Sequence, residues 1–190
     1  MARAGRRPGP TQTKDAILAA ARAQFAGRGY AGTTVRSVAA AADVNPALIH
    51  HYFGSKDQLF LAALSLPINP AEIIVQLLAA GPRSEFPERV VRYFIAAWRD
   101  PAIGQALQAV LRRAVSDEAS AALLRNLAEN VLLTRAADAL GVPKMQIAIA
   151  MSQLIGLVLG TTVLRIEPLA SASEDELVDL IAPAIRGYLA

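Results

Sequence analysis

The punctuation between Thr34 and Gln58 constrains this chain more than any other feature. Thr34 can cap a helix by accepting a backbone N–H bond just before the apolar positions Val35, Val38, Ala39 and Ala42. Asp43 and Asn45 then flank Val44 in a tight turn, since both residue types bond their own backbone and tolerate unusual angles. Pro46 suits the first turn of a new helix, where its missing N–H is not needed. That helix spans Pro46 to Tyr52 and carries Ala47, His50, His51 and Tyr52 on its polar sides, with Leu48 and Phe53 as candidate core anchors. Gly54 ends it, and Ser55-Lys56-Asp57-Gln58 reads as a capping box for the next helix. The pattern is a helix-turn-helix whose second, short helix is offered to a groove of DNA.

Composition extends the helical expectation to the whole chain. Its 190 residues can form one large or two small domains, and alanine, leucine and arginine dominate while aromatics are only 5%, which favours an all-α fold. Cysteine is absent, so disulfides and thiolate metal sites are excluded, in keeping with a reducing cytoplasm. No apolar run precedes residue 16, so no secretory signal is expected. Charge is uneven: residues 1–60 hold eight Lys and Arg against three acids, a net of +5, whereas residues 61–190 carry a net of −2. A positive field at the helix-turn-helix end is the footprint of a nucleic-acid binder. The first residues, Arg3 to Pro10, are either an arginine-rich arm for a minor groove or a solubilising tail.

The segment resembles the DNA-binding domain of TetR-family transcriptional regulators over residues 13–64. The matching positions are Tyr30 after Gly29, Thr34, the Val38-Ala39 pair, Val44, and Tyr52-Phe53-Gly54-Ser55-Lys56-Asp57-Gln58-Leu59. Two positions depart from the family pattern: Asp43 stands where glycine is common in the turn, and the aromatic and histidine near the helix end stand interchanged as His50 and Tyr52. The second departure leaves open which side chain meets phosphate and which meets a base. Composition sets a flexible basic arm over 1–12, and the resemblance implies a three-helix DNA-binding domain over 13–66 and a helical effector-binding and dimerisation domain over 67–190. The DNA-contacting set it implies is Thr34, Arg36, Asn45, Pro46, Ala47, Leu48, His50, His51, Tyr52 and Lys56. Ala47, Leu48 and His51 are expected at base edges, and Thr34, His50, Tyr52 and Lys56 at phosphates; core packing is the other role open to Leu48, and partial burial to Tyr52.

Start and stop signals divide the remainder into helices over 70–80, 87–99, 101–115, 117–140, 143–164 and a last one after the Ser173-Glu174-Asp175-Glu176 box, with Pro183 inside it. The stretch from Gln146 to Leu164 is apolar nearly all round and must be covered on every side. It is a membrane span, a buried monomer helix or a subunit interface. Ser152 and Gln153 at its middle argue against the membrane, and the family resemblance implies the interface. There the last two helices of each subunit form a four-helix bundle, with Ile155, Leu159, Val163, Leu177, Leu180, Ile181 and Ile185 at the contact.

The resemblance also implies an unidentified small effector, with candidate liners Tyr93, Phe94, Trp98, Leu107, Leu111, Arg112, Met151 and Leu154 and further polar contacts from Gln105, Gln153 and Thr161. Each of these fits plain core packing as well. Such a lining suits a largely apolar molecule.

Catalysis finds no foothold in the sequence. His50 and His51 are the only histidines, and adjacent helical residues face different ways, so they cannot pair on a metal. No phosphate-binding glycine loop, nucleophile elbow or zinc-ligand cluster is present, and carboxylates such as Asp117, Glu118 and Glu174 fall at helix starts, where capping accounts for them. The expectation is a cytoplasmic, non-enzymatic regulator without cofactor or metal, a repressor that binds a near-palindromic operator as a homodimer. The alternatives are a non-specific DNA-binding protein or a helical ligand carrier without DNA affinity.

Overall fold

The helix-start signals at Thr34 and Ser55 each become a cap, and Asn45 of the turn caps the helix that Pro46 opens. The computed structural model describes residues 10–190, so the arm expected over residues 1–12 lies, up to residue 9, outside the described residues. Among the described residues every regular element is helical: α1 (Pro10–Gly32), α2 (Val35–Ala41), α3 (Pro46–Phe53), α4 (Lys56–Leu64), α5 (Pro70–Ala79), α6 (Phe86–Arg99), α7 (Pro101–Ser116), α8 (Glu118–Leu127), α9 (Leu133–Leu140), α10 (Lys144–Val158) and α11 (Glu174–Tyr188).

The chain divides into two units. The first holds the described residues up to Pro67 together with Val110–Leu127, and the second holds Ile68–Ala109 with Ala128–Ala190. The expected boundary after residue 66 therefore misses one segment: the end of α7 and all of α8 pack with the N-terminal helices. Local signals could not show this, because the packing is between residues far apart in the chain.

In the first unit, α1 packs with α2 and α4, and Ile17, Ala21 and Phe25 of α1 with Val38, Ala39, Ile49, Leu59 and Phe60 are all nearly or fully buried. Phe25, Tyr30 and Phe60 form an aromatic trio with centroids 4.7 to 6.1 Å apart. Gly29 breaks α1 with φ 69° and ψ 175°. Thr33, fully buried, donates its hydroxyl to the Gly29 carbonyl (2.8 Å) and so satisfies the broken turn.

In the second unit, Val91 and Ile95 of α6 pack with Ala150, Leu154 and Leu157 of α10 and with Leu177, Val178, Ala182 and Ile185 of α11. A smaller cluster joins Phe86, Ala136, Ala137, Leu140 and Ile147. The single helix expected over 117–140 is interrupted by a π-helical stretch, Ala128–Leu132, and α10 likewise ends in one, Leu159–Val163. Ser173 and Glu176 form the expected reciprocal cap of α11, and α11 runs on past Pro183.

Candidate nucleic-acid interface

The site is built from caps outward. Thr34 Oγ1 accepts from the Ser37 amide (3.0 Å) while Ser37 Oγ accepts from the Thr34 amide (3.1 Å), which pins the start of α2. Ser37 also donates to Gln24 Oε1 (2.6 Å), tying that cap to α1. The turn after α2 places Asp43 at φ 53°, a left-handed angle that an Asx residue accepts more readily than most. Asn45 Oδ1 accepts from the Ala47 amide (2.8 Å), and Pro46 follows as the first residue of α3. Together these bonds fix the angle at which α3 leaves the turn.

Burial then decides which way α3 faces. Ile49 is 1% exposed and Phe53 is buried, whereas Leu48 is 36% exposed. Leu48 is thus not the core anchor; Ile49 is, because positions 49 and 53 lie one turn apart on the inner side. Ala47, Leu48, His50 and His51 form the outer surface, and Tyr52 is half-buried with its ring edge-on to His51 (5.3 Å) and to Phe53 (6.3 Å). His50 Nδ1 lies 3.0 Å from the Gly54 carbonyl, so its ring also closes the C-terminus of α3.

At the start of α4, Ser55 Oγ accepts from the Gln58 amide (3.1 Å). The return bond of the expected box is replaced: the Ser55 amide donates to the Phe53 carbonyl instead (2.8 Å). Lys56 sits with Nζ 4.2 Å from the centre of the Tyr30 ring, and the Tyr30 hydroxyl donates to Asp57. Partial burial pushes the Lys56 ammonium below its ordinary pKa, with Asp57 acting in the opposite direction. An ammonium held beside a helix N-terminus and partly stripped of water is poised for an anion. Sequence reasoning placed Lys56 in the site but missed Tyr30 as its support; the Gly29-Tyr30 pair was the available signal.

Thr34, Arg36 and Asn45 are exposed and Pro46 is half-buried, so the expected DNA-contacting residues other than Tyr52, Lys56 and Pro46 are all open to solvent. Among the described residues no group of three or more His, Asp or Glu could hold a metal ion.

Residues 17–63 match the family model described as bacterial regulatory proteins, tetR family, and residues 84–189 match the model of the tetracyclin repressor-like C-terminal domain, which alone spans more than half the chain. The chain belongs to the TetR family. It is a transcriptional regulator by family, with a helix-turn-helix DNA-binding head, as the residue pattern predicts. An HTH-type transcriptional repressor of Streptomyces coelicolor is 38% identical over 73 residues, which cover 34% of this chain and 38% of that protein. The HTH-type transcriptional regulator BetI of Brucella anthropi is 39% identical over 87 residues, 46% of this chain and 43% of its own length. The chain thus spans less than half of the length of these curated relatives. A solved TetR-family regulator from Streptomyces coelicolor is 33% identical and covers 97% of this chain and 98% of its own, with a TM-score of 0.48.

The remaining expected residues of this TetR-family chain fall as follows. Trp98 and Leu154 are buried and Tyr93, Phe94, Leu107 and Met151 half-buried in the second unit, while Leu111 and Arg112 belong to the first. Phe94 and Trp98 rings lie 6.0 Å apart, and burial raises the Tyr93 hydroxyl above its ordinary pKa. Of the expected interface residues, Leu177 and Ile185 are at most 2% exposed and belong to the core of their own unit. Ile155 and Ile181 are half-buried, while Leu159, Val163 and Leu180 are open.

Proposed function

We propose that the chain is a repressor that binds a near-palindromic operator as a homodimer and is released by a small, largely apolar effector. The observation that carries the DNA reading is the split of α3 into a buried Ile49–Phe53 side and an open Ala47–Leu48–His51 side, on the basic part of the chain. Base edges are read by Ala47, Leu48 and His51, and phosphates are met by Thr34, Arg36, His50, Tyr52 and Lys56.

The homodimer reading is supported by a stripe along one side of α10 and the π-helical turn after it. Met145 (69% exposed), Ile149 (42%), Leu159 (36%) and Val163 (49%) recur along it with Ser152 and Gly156 between them, and Leu180 on α11 is 75% exposed. This face replaces Leu177 and Ile185 in the interface. The span Lys144–Val163 is long and apolar enough to cross a membrane, yet its other side packs on α6 and α11, which a subunit interface accommodates and a lone span does not. Two subunits related by a two-fold axis would present two α3 helices to a site of matching symmetry.

For the effector, the half-buried Tyr93, Phe94 and Met151 offer an apolar wall, and the Gln153 side-chain oxygen is buried without a hydrogen-bond partner among the described residues. A bound molecule with one donor would satisfy that oxygen. The test is selection of bound fragments from random duplex DNA at moderate salt by the full chain. Enrichment of one two-fold-symmetric sequence is expected; fragments without a shared motif would make the head a non-specific binder and overturn the operator reading.

A further inference from the structure

The first unit contains a cavity of about 310 Å³ that the DNA-binding reading does not use. Its apolar wall is Ala63 and Leu64 of α4, Val110 of α7 and Leu123 of α8, and its polar lining is Arg22 of α1, Arg113 of α7 and Ser120 of α8. The two arginines give it its character. Arg22 donates through Nε to the Ala63 carbonyl (2.9 Å), which holds the guanidinium in place by its stem side. Arg113 reaches the Ser65 hydroxyl through Nη1 at 3.4 Å, a long and weak bond. Neither guanidinium has a carboxylate within 4.0 Å among the described residues. Asp117, between α7 and α8, caps α8 by accepting from the Ser120 hydroxyl and from the Ser120 amide (2.8 Å), bonds that hold its carboxyl below the ordinary carboxylate range.

Both arginines are exposed and line the same cavity, and none of its lining residues is an acid, so their guanidinium N–H donors are open to an anion. We propose that this cavity is a binding site for a small amphipathic organic anion, a carboxylate whose head is held by Arg22 and Arg113 and whose apolar body lies on Ala63, Leu64, Val110 and Leu123. The volume has room for about ten non-hydrogen atoms, the size of an aromatic or short aliphatic acid. A planar guanidinium matches a carboxylate with two parallel bonds, and an apolar wall distinguishes an organic acid from inorganic phosphate. Because α1 and α4 carry the helix-turn-helix and α7 and α8 close the cavity, an anion here would bind α7 and α8 to the DNA-binding helices.

The test is calorimetric titration of the full chain, without DNA, using benzoate and hexanoate, the neutral analogue benzamide, and inorganic phosphate. Expected is saturable binding of benzoate or hexanoate, with benzamide weaker by about tenfold or more and the Arg113→Gln variant weaker by a similar factor. Arg113 is exposed and makes only the long bond to Ser65, so its variant folds as the parent does, which circular dichroism checks. Arg113→Lys should keep part of the affinity. Failure of both acids to bind the folded parent, equal binding of benzamide, or binding unchanged in Arg113→Gln would each overturn the site. Phosphate binding as tightly as the acids would overturn the assignment to an organic anion. None of these readouts depends on DNA, so the operator reading stands or falls separately.

Discussion

Two glycines two residues apart on α1 should respond to the same substitution with opposite signs. Gly29 holds φ 69° and ψ 175°, a region essentially reserved for glycine, so an alanine there costs about 2 to 3 kcal/mol in backbone strain. Its Cβ would also stand 2.9 Å from Asn126 Oδ1, the atom that accepts the Tyr30 amide at 3.3 Å. Moving Asn126 aside forfeits that bond, about another 1 kcal/mol. Gly27 is helical and exposed, and a methyl added there would meet nothing within 4 Å, so Gly27→Ala should stabilise the helix by about 0.8 kcal/mol. The expected separation between the two variants is therefore about 4 to 5 kcal/mol. Trp98, the only tryptophan, lies in the second unit, so urea unfolding of the first unit should be followed by amide exchange of α1 and α2 rather than by fluorescence. In an Asn126→Ala background the cost of Gly29→Ala should shrink by the part owed to the displaced side chain. If Gly29→Ala falls within about 1 kcal/mol of Gly27→Ala, the broken turn does not need glycine and the reasoning fails.

Ile49→Ala should cost about 2 to 5 kcal/mol of head stability, whereas Leu48→Ala should change stability by less than about 0.5 kcal/mol and instead reduce discrimination between selected and random duplexes; urea melts and DNA titrations separate the two. Lys56→Ala should weaken binding to all duplexes alike and lower the slope of log affinity against log salt by about one, and a loss confined to one sequence would contradict its phosphate role. At α11, the Ser173 amide, and next the Ser173 hydroxyl, hold the Glu176 carboxyl below its ordinary pKa. A depressed folded pKa means that this stabilisation is present above the unfolded value and is lost as pH falls through the folded one, so parent and Glu176→Gln melting curves should differ at neutral pH and converge below about pH 4.

What could be read from the sequence was local. Thr34, Ser55 and Ser173 each cap the helix expected of them, because a cap involves a side chain and an amide two or three residues on, while Asn45, expected only in the turn, turns out to cap α3 by the same means. The inner side of α3 was not legible: eight residues make barely two turns, and Leu48 with Tyr52 has the same spacing as Ile49 with Phe53. Only packing against α1, α2 and α4 chose between them. The same holds for α11, where Leu177, Leu180, Ile181 and Ile185 share one apolar pattern but Leu177 and Ile185 face the core while Leu180 is open. The π-helical stretches after α8 and α10 carry no local residue signal, since they depend on how the flanking helices seat.

The seating of α8 bears on how a signal could reach the DNA-binding helices. Val110–Leu127 is joined to the second unit by the chain at both ends, through the first part of α7 and through the π-helical stretch Ala128–Leu132, while its side chains belong to the first. Leu123 and Leu127 are at most 4% exposed, and burying two such side chains is worth about 3 to 6 kcal/mol. Couplings between sites need only about 1 to 3 kcal/mol. The grip of α8 on α1 therefore exceeds what a regulatory shift requires, so α8 should move with α1 rather than detach from it. From α8 the polar path is short: Asn126 accepts the Tyr30 amide, the Tyr30 ring lies under Lys56, and its hydroxyl holds Asp57 at the start of α4. A displacement of α8 thus acts first on the orientation of the Lys56 ammonium, and through it on the phosphate contact proposed for it, leaving the exposed face of α3, proposed to read bases, unchanged. On this account an effector would change DNA affinity for all sequences more than it changes sequence preference.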